Sequence, residues 1–218
     1  RVDRRQRQMC IRDSHWKIRD PDSHLYRDLF VKYNAFRKQL LNRPIKNIVT
    51  LGIGGSYEGP NLLINSLKEL NNLKFNHIFI TGSDNQEFKE KITGLNQKET
   101  VFILSSKSMK SLEVINNFKL AKRWLSLKIK SSKATENFYG ITSNIQEAKK
   151  IGIAEQNIIN LGEEIGGRYS IWSEISFTSI LESKKNFSSF LNGGHQADLL
   201  MKSDNSYKKT IKKLAYIE

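Results

Sequence analysis

Cysteine is nearly absent from this 218-residue chain, and long apolar runs are missing altogether. The single cysteine, Cys10, excludes an internal disulfide and fits a reducing compartment, so a cytoplasmic location is expected. No stretch approaches the roughly 20 apolar residues needed to cross a bilayer, and no signal-peptide pattern is present. No membrane partner is therefore expected. Acidic residues are also scarce, 22 against 36 Lys and Arg, which leaves a formal charge of +14. The lysines are spread over the whole chain, and no basic-aromatic motif of a nucleic-acid module accompanies them. The charge reads as a solvated lysine-rich surface, with no nucleic-acid partner. Repeats of solenoid length and low-complexity linkers are lacking too. What is present is 38% hydrophobic residues, enough for a sizeable core.

Residues 1–14 differ in composition from the remainder of the chain. They hold five Arg, two Asp and no Lys, and they lack an amphipathic period. They read as a disordered or non-native tail, and without them the five positive and two negative charges drop out, leaving +11. Residues 15–44 form a helical extension. Asp22 or Ser23 can cap a helix in which Leu25, Leu29, Tyr33, Phe36 and Leu40 share one face, and Pro44 ends the pattern. From Ile45 the period changes repeatedly. Strand-like runs occur at 46–51, 76–81, 100–105, 137–142 and 157–161, with helical stretches near 58–70, 85–93, 109–130 and 144–151. Apolar strands alternating with helices predict a parallel sheet covered on both faces, with right-handed crossovers. In such sheets ligands bind beyond the carboxyl ends of the strands.

Three motifs fall at those ends. The first is Gly52-Ile-Gly-Gly-Ser-Tyr-Glu-Gly-Pro60, a glycine turn between a buried strand and a helix. Backbone N–H groups and a helix dipole aimed at one point suit an anion such as phosphate; the plainer reading is a tight turn needing glycine. Tyr57 stands at the third glycine of a dinucleotide fingerprint and Pro60 stands at the lysine of a P-loop, which damages both nucleotide readings. Asp84, after the second strand, reads as a turn or helix cap rather than a ribose ligand. The second motif, Ser105-Ser-Lys-Ser-Met-Lys-Ser111, offers hydroxyls at 106, 108 and 111 with Lys107 or Lys110 nearby. It can form a cup for phosphate, or simply a serine-capped helix start. Its strand should neighbour the first. The third is Gly166-Gly-Arg-Tyr-Ser170, followed by Ile171-Trp-Ser173. Arg168 projects either toward transition-state charge or as a structural arginine at a helix start, where a cation opposes the dipole.

Taken together, GIGGSYEGP at 52–60, SSKSMKSLE at 105–113 and GGRYSIWS at 166–173 resemble the glucose-6-phosphate isomerases. FITGSDNQ at 79–86 and FLNGGHQADLL at 190–200 are weaker echoes, and the likeness runs from about Ile45 to the C-terminus. Where that family favours threonine, this chain has Ser108, Lys110 and Ser111. The resemblance implies an α/β fold with a five-stranded parallel sheet flanked by helices, a sugar isomerase domain over 45–165, followed by a helical segment over 166–218. It implies that Gly55, Ser56, Ser106, Lys107, Ser108 and Ser111 hold a sugar phosphate, and that Arg168 stabilises an enediolate. No metal and no cofactor are implied, because the carbonyl acidifies the adjacent proton. The glutamate and histidine that serve the family as base and ring-opening acid belong to motifs not found here. His15, His24, His77 and His195 lie outside that context, and His195 reads as structural. The expectation is thus a partial sequence, inactive alone and homodimeric when full length. The alternatives are a non-catalytic sugar-phosphate sensor on the same domain and, against Tyr57, a nucleotide-dependent oxidoreductase.

Overall fold

A computed structural model describes residues 14–68, 73–163, 165–181 and 183–217; the side chains of Ser131, Ser132 and Arg168 lie outside that description. The expected tail over 1–14, with Cys10, falls almost wholly outside it, as do residues 69–70 of the expected helix near 58–70. The chain begins with a short helix α1 (His15–Arg19) and a long one, α2 (His24–Leu41). Ser23 caps α2, its side chain accepting from the Leu25 N–H. The predicted face of α2 is the one that packs: Leu29, Tyr33, Phe36 and Leu40 are all buried.

Strand and helix then alternate: β1 (Asn47–Leu51), α3 (Glu58–Lys68), β2 (Asn76–Ile80), α4 (Asn85–Ile92), β3 (Thr100–Ser105), α5 (Leu112–Ser126), α6 (Ser131–Ala134), β4 (Phe138–Thr142), α7 (Ile145–Ile151) and β5 (Ile158–Asn160). The five strands form one parallel sheet in the order β2-β1-β3-β4-β5. As the serine motif required, β1 and β3 are neighbours, in register from Asn47 opposite Thr100 to Leu51 opposite Leu104. The order reverses between β1 and β3, the switch point at which a doubly wound sheet opens a crevice. The helix expected over 109–130 is shorter, because Met109 sits at φ 54° and delays its start to Leu112, and the chain turns at Leu127.

Alternation along the strands divides the core in two. Ile48, Val101, Ile103, Tyr139 and Ile141 face α2 and later segments; Val49, Leu51, Phe102, Leu104 and Phe138 face α4, α5 and α7. Burying each such side chain contributes about 1.5–3 kcal/mol. Both faces being covered explains why β1, β3 and β4 are buried throughout. Beyond β5 the chain makes a 3-10 turn (Gly167–Trp172), then a second one (Glu174–Ser176), before α8 (Lys184–Ser203) and α9 (Asn205–Ile217). The 3-10 form at 167–172, in place of a full helix, was not legible in the sequence. Among the described residues no helix is long and apolar enough to cross a membrane.

Candidate functional site

The carboxyl ends of β1, β3, β4 and β5 surround a cavity of about 930 Å³, within the roughly 300–1,000 Å³ usual for ligand sites. Each wall has a local cause. Beyond β1 the chain turns at Gly54, whose φ of 53° is the left-handed region, and enters a 3-10 turn over Gly54–Ser56. Gly55 is pressed against the Gly167–Trp172 turn. A Cβ there would lie 2.9 Å from the Gly167 carbonyl carbon, closer still to its oxygen, and 3.1 Å from Ser170 Oγ. The Ser170 hydroxyl donates to the Gly55 carbonyl at 3.2 Å and to that of Gly167 at 2.8 Å. Paired glycines at 54–55 and 166–167 therefore let two backbones touch.

The second wall is the serine loop after β3. Ser106 is buried, and its hydroxyl lies 3.4 Å from that of Ser111. The Met109 side chain is buried, which holds the loop in a conformation costing a non-glycine residue about 1–2 kcal/mol. Lys107 ties three strand ends together. Its carbonyl accepts from the Ser143 N–H and from the Thr142 and Ser143 hydroxyls, at 3.1, 2.9 and 2.9 Å. Its ammonium donates to the carbonyls of Glu163 and Ile165 at 2.6 and 2.8 Å. A cation held at the cavity wall by two carbonyls keeps a third donor for an anion.

All six residues expected to hold a phosphate, Gly55, Ser56, Ser106, Lys107, Ser108 and Ser111, line this one cavity. Lys110 does not, and its backbone N–H donates to the Ser108 hydroxyl at 3.2 Å. Arg168 has its backbone in the turn between Gly167 and Ser170, both of which line the cavity; its side chain is outside the described residues. Asp84 caps α4, accepting from the Gln86 N–H, and takes no part in the cavity. Sequence reasoning overlooked Ser105, Ser143, Asn144 and Glu163 in the lining. Counting the residue after every strand end would have found Ser143. Ser105 has a buried hydroxyl with no partner among the described residues. His15, His24, His77 and His195 do not line the cavity. No cluster of metal-ligating side chains occurs among the described residues.

The phosphoglucose isomerase family model matches residues 34–216, which includes every wall of this cavity. The chain belongs to that family. It is 36% identical over 163 residues to a glucose-6-phosphate isomerase of Shewanella putrefaciens, covering 74% of this chain and 30% of that relative. Against the glucose-6-phosphate isomerase of Laribacter hongkongensis it is 33% identical over 156 residues, 71% of this chain and 28% of the relative. The chain thus spans under a third of the length of these curated relatives. In fold it is similar to the crystal structure of a glucose-6-phosphate isomerase from Chlamydia trachomatis, with a TM-score of 0.74 at 20% identity, covering 89% of this chain and 40% of that one. A hypothetical protein from Thermus thermophilus matches equally in fold, with a TM-score of 0.74 at 16% identity over 93% of this chain and 48% of that one. The five-stranded parallel sheet is the architecture they share.

Proposed function

We propose that this chain carries the sugar-phosphate half of an active site that interconverts glucose 6-phosphate and fructose 6-phosphate. The supporting observation is the convergence of two glycine turns and the serine loop on one cavity at the switch point of the sheet. In this reading the backbone around Gly55, the hydroxyls of Ser56, Ser106, Ser108 and Ser111, and the Lys107 ammonium hold the phosphate. A dianion accepts several hydrogen bonds at once, and hydroxyls with one lysine match it without a metal.

The chemistry needs one more charge. A base removes the proton at C2 of the open-chain aldose. The C–H electrons form a C1–C2 double bond, and the carbonyl oxygen at C1 takes the displaced pair. Transfer of the O2 proton to O1 and reprotonation at C1 give the ketose. Negative charge spreads over two oxygens midway, and Arg168 is the group proposed to stabilise it. Among the described residues the lining holds one acidic side chain, Glu163, and no histidine, and the base and ring-opening acid are proposed to come from outside this cavity. The chain alone is therefore proposed to bind sugar phosphate without turning it over. The reading carries with it a cytoplasmic homodimer acting in glycolysis and gluconeogenesis.

Titration of the 218-residue chain with fructose 6-phosphate, inorganic phosphate and NAD tests this. Fructose 6-phosphate should bind in competition with inorganic phosphate, and NAD should not bind. Removing the Ser106 hydroxyl (Ser106→Ala) deletes a bond to a charged group, about 1.5–3 kcal/mol, and should weaken binding by about 10- to 150-fold. Binding of NAD, or no binding of sugar phosphate, refutes the reading. Isomerase turnover by this polypeptide refutes the statement that the cavity lacks its acid and base.

A further inference from the structure

Outside the cavity, the Gly167–Trp172 turn is held by a buried cation that the sequence did not single out. Arg19, the last residue of α1, is 5% exposed. Its Nε and Nη2 donate to the two carboxylate oxygens of Asp198 on α8, at 2.9 and 2.7 Å. Its Nη1 lies 2.9 Å from His15 Nδ1, and its guanidinium carbon lies 4.5 Å from the centre of the Trp172 ring. Trp172 also stacks on Phe190 of α8, with centroids 4.3 Å apart and planes 12° from parallel. At the other end of the turn Tyr169 stacks on His15 at 4.4 Å and 6°. The helix α8 comes this close because Gly194 has no side chain: a Cβ there would lie 2.8 Å from the Trp172 ring.

The turn is thus gripped from two directions. On the cavity side Gly167 and Ser170 meet Gly55; on the far side Tyr169 and Trp172 meet α1 and α8. Arg168 lies between the gripped positions. Arg19 does not line the cavity. Its guanidinium is planar, so it can hold Asp198 bidentately and lie against Trp172 at the same time, which an ammonium cannot do.

We propose that Arg19 is a positioning residue: it locks the Gly167–Trp172 turn to α8 and so sets where Gly167, Arg168 and Ser170 stand relative to the phosphate loop. Its meaning for sugar binding rests on the function proposed above; its meaning for the turn does not.

The test uses two readouts on the full chain with Arg19→Lys, and with Asp198→Asn, which retains Arg19 but removes the charge of its carboxylate partner on α8. Amide hydrogen exchange should rise at least ~10-fold at 167–172 in both variants, while the strands of the sheet keep their protection. Exchange that rises uniformly over the sheet, or not at all, overturns the proposal whatever the ligand does. The second readout is a double-mutant cycle on fructose 6-phosphate affinity. Arg19→Lys should weaken binding ~10-fold, the loss expected when one hydrogen bond to a charged group is misplaced. In a Ser170→Ala background the same change should cost less than about two-fold, because the hydroxyl that links the turn to the Gly55 carbonyl is already gone. Equal losses in both backgrounds show a merely structural arginine and overturn the proposal. Locally raised exchange with no sugar-phosphate binding in the unaltered chain upholds the positioning of the turn and refutes the isomerase reading instead.

Discussion

Adding one methyl group at Gly55 probes the contact on which the site depends. In Gly55→Ala the new Cβ would fall 2.9 Å from the Gly167 carbonyl carbon and nearer to its oxygen. These are backbone atoms, which cannot swing aside as a flexible side chain could. Either the 54–56 turn or the 167–172 turn must move. Overpacking of this kind costs about 1–3 kcal/mol. The move also breaks the 3.2 Å hydrogen bond from Ser170 to the Gly55 carbonyl, a further loss of about 0.5–1.5 kcal/mol. The total is about 1.5–4.5 kcal/mol, and at about 2–4 °C per kcal/mol for a chain of this size the melting temperature should fall by about 3–18 °C. Gly54→Ala is the control. Its Cβ would have no neighbour within 4 Å, and its φ of 53° costs alanine only about 1–2 kcal/mol. Thermal unfolding followed by circular dichroism, with phosphate titration of each variant, provides the comparison. Gly55→Ala should be the less stable and the weaker binder. A Gly55→Ala chain within about 0.5 kcal/mol of the parent, the scatter of a neutral surface change, with unchanged phosphate affinity, would refute the close approach of the two turns.

Two further perturbations concern the scaffold behind the site. Lys32 on α2 meets Glu174 at 2.8 Å, donates to the Asn160 carbonyl, and pairs with Asp28. Lys32→Met strands the buried Glu174 carboxylate, one of whose oxygens already lacks a partner among the described residues, and should cost about 3 kcal/mol by urea unfolding; Lys32→Met with Glu174→Leu should recover most of that. Alkaline pH tests the same layer. Burial raises the Tyr33 phenol to about 12 from 10.0, and its hydroxyl donates to the Ile180 carbonyl at 2.7 Å. The folded state holds this proton longer than the unfolded chain. Its contribution is therefore complete below pH 10 and lost between pH 10 and 12, at no more than about 1.4 kcal/mol per pH unit. Burial works to lower the Lys32 pKa, but Glu174 and Asp28 outweigh it and hold it above the ordinary lysine value, so that ion pair also fails as pH rises through its folded pKa. Tyr33→Phe should flatten the Tyr33 part of the alkaline decline; an unchanged slope would show that the phenol is not the titrating group.

Much of the architecture was legible because its causes are local. Apolar runs such as Val101–Leu104, bounded by polar residues, read as buried strands, and the spacing of Leu29, Tyr33, Phe36 and Leu40 reads as a helix against a core. Asp84 and Ser23 cap as read, since a side chain bonding its own backbone two residues on involves no distant partner. The 3-10 turn at 167–172 was hidden for the opposite reason. Its conformation is imposed by Gly55 on one side and by Arg19 and α8 on the other, residues more than a hundred positions away for Gly55 and Arg19. The short helix α1 has only five residues and no period to detect.

Residue types and their order carry the identity of the elements, the parallel sheet and the presence of phosphate-suited loops at strand ends. These arise from periodicity, from glycine's freedom and from the chemistry of hydroxyls, all of which act over a few residues. What the fold alone decided is company: that six separate positions share one cavity, that Lys107 spends two donors on the Glu163 and Ile165 carbonyls, and that Arg19 closes on Trp172 and Asp198. Such pairings depend on how layers pack, and packing is a property of the whole chain at once.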